Sequence, residues 1–251
     1  MADPKHTVPD PTDSEKRYAL AVFETKHKNF KNYCDGRQFY DVLKAMRYAE
    51  EKTPGFRKDK KTPAFQHQLE IAEYATTLKG LSIESEQRLL IVIMLHDVVE
   101  DNMVPLSEIE TLFGLEIAKD VDAISKKVMG VKKSNEQYRA GLESRIFAIL
   151  AKGCDRVNNM QTMRGGVFSF AKQAAYSQEV RDFYLPLLRH GRNIEPQYRA
   201  AIHNIKLMLT HQVQWVEEML QAIQNNVALV LGATLKESTV SRPPSESLGL
   251  T

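Results

Sequence analysis

The sequence has few cysteines, no long apolar run and no large excess of either charge. Two cysteines among 251 residues are too few for a disulfide framework and fit a reducing compartment. The 34 basic and 32 acidic side chains nearly balance, which gives no general case for a nucleic-acid or membrane partner. Neither a bilayer-spanning segment nor the apolar stretch of a signal peptide is visible. We therefore expect a soluble, cytoplasmic protein.

Both ends of the chain are poor in residues that build a core. Residues 1–14 carry three prolines among polar side chains, and residues 237–251 are rich in serine, proline and threonine. Such segments bury too little apolar surface to offset the entropy of ordering. The sequence therefore predicts two disordered tails that flank one folded domain over residues 15–236.

Between these ends, the apolar spacing is that of helices. Phe39, Val42, Leu43 and Met46 recur at steps of three and four residues, whereas no run alternates in the manner of strands. The expected class is an all-α bundle of about ten helices. Their predicted ranges are about 16–30, 38–52, 66–79, 84–100, 105–113, 115–128, 135–151, 153–163, 171–189 and 195–229.

Residues 89–101 are the most informative stretch, because seven apolar residues run directly into an imidazole and three carboxylates. The polar residues are His96, Asp97, Glu100 and Asp101. On one continuous helix, at about 100° per residue, these four side chains would share one side. So much negative charge beside a buried segment indicates a bound cation.

Two further clusters are weak signals alone. Residues 56–67 form a basic loop that contains Arg57, Lys58, Lys60 and Lys61 and leads to His67. Residues 152–162 place Asp155, Asn159 and Thr162 on one helical stripe. Charge runs and polar stripes of this kind are usually solvated surface.

The clusters become informative when they are joined. Divalent transition metals take imidazole and carboxylate ligands, and a catalytic metal site keeps positions open for water and substrate. Two imidazoles and two carboxylates on three predicted helices could supply such a site, namely His67, His96, Asp97 and Asp155.

A histidine, a His-Asp pair and a distal aspartate on a helical scaffold resemble the HD superfamily of metal-dependent phosphohydrolases. More narrowly, residues 96–101 and 155–162 are similar to the hydrolase domain of RelA/SpoT-type enzymes, which remove the 3′-pyrophosphate of (p)ppGpp. The loop into His67 and the segment 179–188 add to this resemblance, which covers residues 38–210 in collinear order. No segment resembling a synthetase domain follows, so we expect a stand-alone small alarmone hydrolase.

The resemblance implies an HD-domain helical bundle, a small-molecule nucleotide substrate and a role for each polar residue. Mn²⁺ would be bound by His67, His96, Asp97 and Asp155. The attacking water would be positioned and activated by Glu100 and Asp101. The nucleotide would be contacted by Arg57, Lys58, Asn159 and Thr162.

Some residues depart from the family pattern and leave alternatives open. Asn158 stands where the family has histidine, and we expect this change to alter hydrogen bonding beside the metal. Ala64 and Phe65 differ from the family in the region expected to face the base. The alternative substrates are the adenosine alarmone (p)ppApp, NADPH or another phosphorylated nucleotide. A nucleotide-sensing module without activity is the non-enzyme alternative, and the apolar stretch 215–220 is either core or a homo-oligomer contact.

Overall fold

The computed structural model describes residues 9–163 and 168–240, with side chains as far as residue 226. The described part is almost entirely helical, which confirms the predicted all-α class. The helices are α1 (Asp13–Arg37), α2 (Tyr40–Lys52), α3 (Gln66–Ala75), α4 (Ile83–Leu95), α5 (Val98–Asn102), α6 (Leu106–Phe113), α7 (Leu115–Ile124), α8 (Asn135–Glu143), α9 (Ile146–Thr162), α10 (Phe170–Glu179), α11 (Leu185–Ile194) and α12 (Arg199–Val240).

Short non-α elements interrupt ranges that the apolar spacing predicts as continuous helices. The predicted helix 115–128 ends at Ile124, and a hairpin of β1 (Lys127–Val128) and β2 (Val131–Lys132) follows. Its two turn residues, Met129 and Gly130, have φ of 47° and 80°, as a tight two-residue hairpin turn requires. The predicted helix 171–189 contains a π-helical turn at Val180–Tyr184, and a 3₁₀ turn at Pro196–Tyr198 precedes α12.

The first helix begins earlier than its apolar spacing predicts. Thr12 caps α1 by accepting from the Glu15 amide, and the Glu15 carboxylate accepts from the Thr12 amide in return, so this capping box fixes the start at Asp13. The predicted N-terminal tail therefore overlaps α1 by two residues. At the other end, α12 continues to Val240, past residue 236. Residues 1–8 and 241–251 of the predicted tails lie outside the described residues.

Helices α4 and α9 form the centre of the bundle. Residues 89–95 of α4 are all buried and pack among α2, α3 and α9. Helix α9 runs unbroken through residue 152, where two separate helices were expected, and packs against α12. Gly153 permits this contact, because a Cβ there would lie only 2.9 Å from Ile205 Cγ2. Helix α9 thereby carries Asp155 into the interior, and the buried end of α4 places His96 there directly after Leu95.

The apolar stretch on α12 is partly core. Val216 is fully buried, while Trp215 beside it remains 44% exposed. Thus the predicted core role holds for Val216. Of the helices in the described part of the chain, including α12, none is both long enough and apolar enough to cross a membrane.

Candidate active site

The predicted site residues meet where α3, the junction between α4 and α5, and α9 come together. The expectation of one continuous helix over 84–100 is wrong, because α4 ends at Leu95 and α5 begins at Val98. His96 and Asp97 occupy the turn between them. The angular argument for one continuous helix therefore does not apply to this stretch. Glu100 and Asp101 belong to the short α5, and their partners differ.

Four potential ligand side chains converge at this junction. The Nε2 atom of His67 lies 3.1 Å from Asp155 Oδ1 and 4.0 Å from Asp97 Oδ2. The Nε2 atom of His96 lies 2.9 Å from Asp97 Oδ2 and 4.0 Å from Asp155 Oδ1. These separations bring the two imidazole nitrogens close to both carboxylates. His67, His96 and Asp97 form a group that could hold a metal ion, with Asp155 beside, but not within, this group of three.

The surroundings of His96 fit a cation. Its Nδ1 lies 2.7 Å from the Ile93 carbonyl oxygen, which can only accept, so Nδ1 carries a hydrogen and Nε2 is the nitrogen that could bind a metal once its own proton is displaced. His96 is 2% exposed, and within the described residues its Nε2 has no hydrogen-bond partner despite the nearby Asp97. Burial lowers the pKa of His96, but the Asp97 and Asp155 carboxylates outweigh it and raise the pKa to about 9.

Asp155 is held as a carboxylate by a residue that the sequence motifs did not single out. Lys152, one helical turn earlier on α9, places its Nζ 2.8 Å from Asp155 Oδ2. Burial alone would raise the pKa of Asp155, but the Lys152 ammonium together with the His67 and His96 rings outweighs burial and holds the pKa well below its ordinary value. The i, i+3 spacing was a usable signal for this pair. Lys152 thus keeps Asp155 charged and able to bind a cation.

Glu100 and Asp101 differ in what they face. Asp101 lines the cavity beside the ligand group. Desolvation of its carboxyl, together with the charges of Asp97 and Glu100, raises the pKa of Asp101. Glu100 does not line this cavity; its Oε2 accepts a hydrogen bond of 2.7 Å from the Lys126 amide at the start of the hairpin. Of the two acids, Asp101 is therefore the one placed to meet a bound water.

The cavity over this junction has a volume of about 460 Å³. Arg57 and Lys58 line it, whereas Lys60 and Lys61 pair with Asp10 and Glu15 at distances of 2.7 and 2.9 Å. The basic loop thus divides into two cations at the cavity and two that tie it to the N-terminal region. The other residues that line the cavity are Asp59, Thr62, Gln66, His67, Glu70, Asp97, Asp101, Lys152, Asp155, Asn159, Thr162, Met163, Phe168 and Tyr176.

Asn159 and Thr162 line the cavity but also have partners within α9. The Asn159 amide donates to Asp155 Oδ1 at 2.6 Å, and the Thr162 hydroxyl donates to the Asn158 carbonyl at 3.0 Å. Asn159 therefore supports the aspartate in addition to facing the cavity.

A protein-family model described as HD domain matches residues 45–193. This range is more than half of the chain and includes all four potential ligands. The chain belongs to the HD domain family. Its His-Asp pair is His96 and Asp97, at the turn between α4 and α5.

Curated relatives of this HD domain are longer bacterial proteins. A GTP pyrophosphokinase rsh of Brucella ovis is 30% identical over 199 residues, which cover 74% of this chain and 25% of the relative. The bifunctional (p)ppGpp synthase/hydrolase SpoT of Escherichia coli is 27% identical over 198 residues, which cover 76% of this chain and 26% of the relative. The chain thus spans about a quarter of the length of these relatives. A solved structure described as a metazoan ortholog of SpoT that hydrolyzes ppGpp aligns with a TM-score of 0.49 and 21% identity, covering 70% of this chain and 94% of that one.

The HD domain also has an aromatic wall that the motifs did not indicate. The rings of Phe168 and Tyr176 lie 5.3 Å apart on the cavity lining. The Lys58 ammonium lies 5.2 Å from the Phe168 ring centre. Because the two rings are brought together only by the fold around α10, their spacing in sequence gave no signal. The two rings are inclined at 49° to each other, and a single aromatic face beside cations can accept a planar base next to phosphates.

Proposed function

We propose that this HD domain is a Mn²⁺-dependent hydrolase that removes the 3′-pyrophosphate of (p)ppGpp, giving GDP or GTP and pyrophosphate. The observation that carries the proposal is the convergence of two imidazoles and two carboxylates beside Asp101, under a cavity bordered by Arg57 and Lys58. The (p)ppGpp synthase/hydrolase among the relatives supports the choice of substrate. A relative from Escherichia coli O157:H7 is named as a guanosine-3′,5′-bis(diphosphate) 3′-pyrophosphohydrolase.

The donor set suits a divalent transition metal. His67, His96, Asp97 and Asp155 would hold Mn²⁺, since mixed imidazole and carboxylate ligands bind such ions. When bound, the metal would lower the pKa of a water and polarise a phosphoryl oxygen. The burial of His96 beside the Asp97 and Asp155 carboxylates and the raised pKa of its ring support a site that favours a positive charge.

The protein's own side chains would supply the remaining chemistry. Release of pyrophosphate from the 3′ position requires that water bond to the phosphorus next to the 3′-oxygen, that the bond between this phosphorus and the 3′-oxygen break, and that the 3′-oxygen leave with a proton. Asp101 would take the proton of the water, because it faces the cavity with a raised pKa, and would return it to the departing 3′-oxygen. Arg57 and Lys58 would stabilise the negative charge on the departing pyrophosphate. Asn159 and Thr162 would contact the nucleotide, and Glu100 would fix α5 against the hairpin.

A panel of nucleotides tests the substrate. Purified protein supplied with Mn²⁺ is incubated separately with ppGpp, ppApp and NADPH, and the products are resolved by ion-exchange chromatography. We expect GDP and pyrophosphate from ppGpp, and none after the metal has been removed by chelation. Turnover of only ppApp or NADPH would overturn the guanosine assignment, and binding of ppGpp without turnover would favour a nucleotide-sensing module.

We assign this activity to the cytoplasm. Both cysteines, Cys34 and Cys154, are free thiols and are buried, as suits a reducing compartment.

A further inference from the structure

Asn158 connects one potential metal ligand to a carboxylate that the proposed chemistry does not use. Its Oδ1 lies 2.8 Å from His67 Nδ1, and its Nδ2 donates to Glu70 Oε2 at 3.0 Å. Asn158 is 5% exposed, and Glu70 lies one turn after His67 on α3. The three side chains form a short chain of hydrogen bonds behind the ligand group.

The direction of these hydrogen bonds follows from the donors available. An ionised carboxylate such as Glu70 can only accept, so it requires the NH₂ end of the Asn158 amide. The carbonyl end of Asn158 then faces His67 Nδ1. Since that oxygen also only accepts, Nδ1 must carry the hydrogen, and His67 Nε2 is left with its lone pair toward the metal position.

Two neighbours favour the opposite tautomer of His67. Asp155 Oδ1 lies 3.1 Å from Nε2 and would accept a hydrogen there. The Arg57 guanidinium, 3.4 Å from Nδ1, can donate to that nitrogen but cannot accept from it. A hydrogen on Nε2 would occupy the lone pair that a metal needs. The shorter contact to Asn158 opposes both neighbours.

The two histidines differ in how their tautomers are fixed. The tautomer of His96 is fixed by the backbone carbonyl of Ile93, which can accept a hydrogen bond but can never donate one. The tautomer of His67 depends on the side-chain amide of Asn158, which could rotate by half a turn and present its NH₂ group to His67 instead. Glu70 prevents this rotation by accepting a hydrogen bond from the NH₂ group.

We propose that Glu70 and Asn158 are positioning residues that keep His67 Nε2 open for the metal. The proposal rests on the metal-dependent function proposed above and adds two residues to it. Partners that orient a metal-bound histidine typically change metal affinity 10- to 100-fold when they are replaced. Asn158 also stands where the resembling family has histidine, so this pair belongs to the present chain's own site.

The test measures Mn²⁺ affinity of the metal-free, full-length protein by isothermal titration calorimetry. Asn158→Leu keeps size and charge but cannot accept from His67, and we expect it to weaken Mn²⁺ binding about 10- to 100-fold. Asn158→Asp presents an acceptor in either orientation, and we expect it to bind Mn²⁺ at least as tightly as the wild type. If Asn158 served only for packing, Asn158→Asp would weaken Mn²⁺ binding more than Asn158→Leu, because the new carboxylate would repel that of Glu70.

Glu70 is tested by a rescue. Glu70→Ala frees the Asn158 amide to turn over, so we expect about a tenfold loss of affinity. Adding Asn158→Asp to that variant removes the NH₂ group and should restore affinity to within about threefold of the wild type. At saturating Mn²⁺, the turnover of all folded variants should return toward that of the wild type.

The outcomes separate this proposal from the proposed function. If the wild type binds Mn²⁺ and Asn158→Leu binds it equally well, the positioning role is wrong while the metal site stands. Failure of the double variant to recover would remove Glu70 from the proposal. If the wild type binds no divalent metal, the proposed function fails as well. Thermal melts followed by circular dichroism confirm that each variant is folded.

Discussion

Glu100 and Asp101 are adjacent carboxylates with different partners. Asp101 faces the cavity, and the loss of solvent and the neighbouring charges raise the pKa of its carboxyl. Glu100 is engaged by the Lys126 amide at 2.7 Å. A general base must reach the proton that it removes, and it works best when its pKa approaches the working pH. Both conditions favour Asp101.

Replacement of each acid by its amide distinguishes the two roles. Asp101→Asn should retain Mn²⁺ and lose about 10²- to 10⁴-fold in kcat, the range for removal of a general base. Glu100→Gln keeps an oxygen that can accept from Lys126, so its loss should be roughly tenfold. Rates of ppGpp hydrolysis and elemental analysis measure both effects. Equal rates for Asp101→Asn and the wild type would exclude Asp101 as the base.

Single residues were predictable where motif and chemistry coincide. Adjacent His96 and Asp97 after a buried run indicated a ligand pair, and the structure brings them to His67 and Asp155. The hydrogen bond between Glu70 and Asn158 could not be predicted from the sequence. The two residues are 88 positions apart, on different helices, and meet only in the folded bundle.

At the scale of elements, the break between α4 and α5 shows the limit of periodicity. The apolar run to Leu95 and the buried Val98 and Val99 are all compatible with one helix, so the spacing predicted no interruption. The pattern does not reveal that His96 and Asp97 occupy a turn. Helix α9 shows the reverse error, since the predicted ranges 135–151 and 153–163 leave a gap at residue 152, whereas α9 is continuous there and Gly153 is a packing contact.

We therefore expect even a methyl group at position 153 to lower the stability of the fold. In Gly153→Ala the new Cβ would lie 2.9 Å from Ile205 Cγ2 and 3.3 Å from Leu188 Cδ2, and both neighbours are fully packed. Overpacking of this kind costs about 1–3 kcal/mol, which exceeds the roughly 1 kcal/mol that alanine gains over glycine in a helix. Urea unfolding should show a net destabilisation.

Gly36→Ala is the matched control, because nothing lies within 4 Å of a Cβ at that position in α1. It should be neutral or stabilised by up to about 1 kcal/mol. Equal stabilisation of both variants would mean that α9 and α12 do not approach as closely as Gly153 indicates.

On the scale of the whole molecule, the bundle brings together polar side chains from three separate parts of the chain. Asp97, at the junction of α4 and α5, and Asp155 of α9 share one small region with two imidazoles. An ion that binds only the assembled group connects α3, α9 and the junction of α4 with α5. Metal binding and folding are then linked, because the unfolded chain does not assemble these ligands.

This linkage predicts a metal-dependent melting temperature. At a Mn²⁺ concentration 100-fold above Kd, binding stabilises the folded state by about 2.7 kcal/mol, which corresponds to a rise of about 5–10 °C for a domain of this size. Differential scanning calorimetry of chelator-treated protein, with and without Mn²⁺, measures the rise. His96→Ala and Asp97→Ala should each reduce it below about 2 °C. Glu110→Ala, which removes an exposed carboxylate on α6, should keep the full rise. A full rise in Asp97→Ala would show that the ion binds elsewhere.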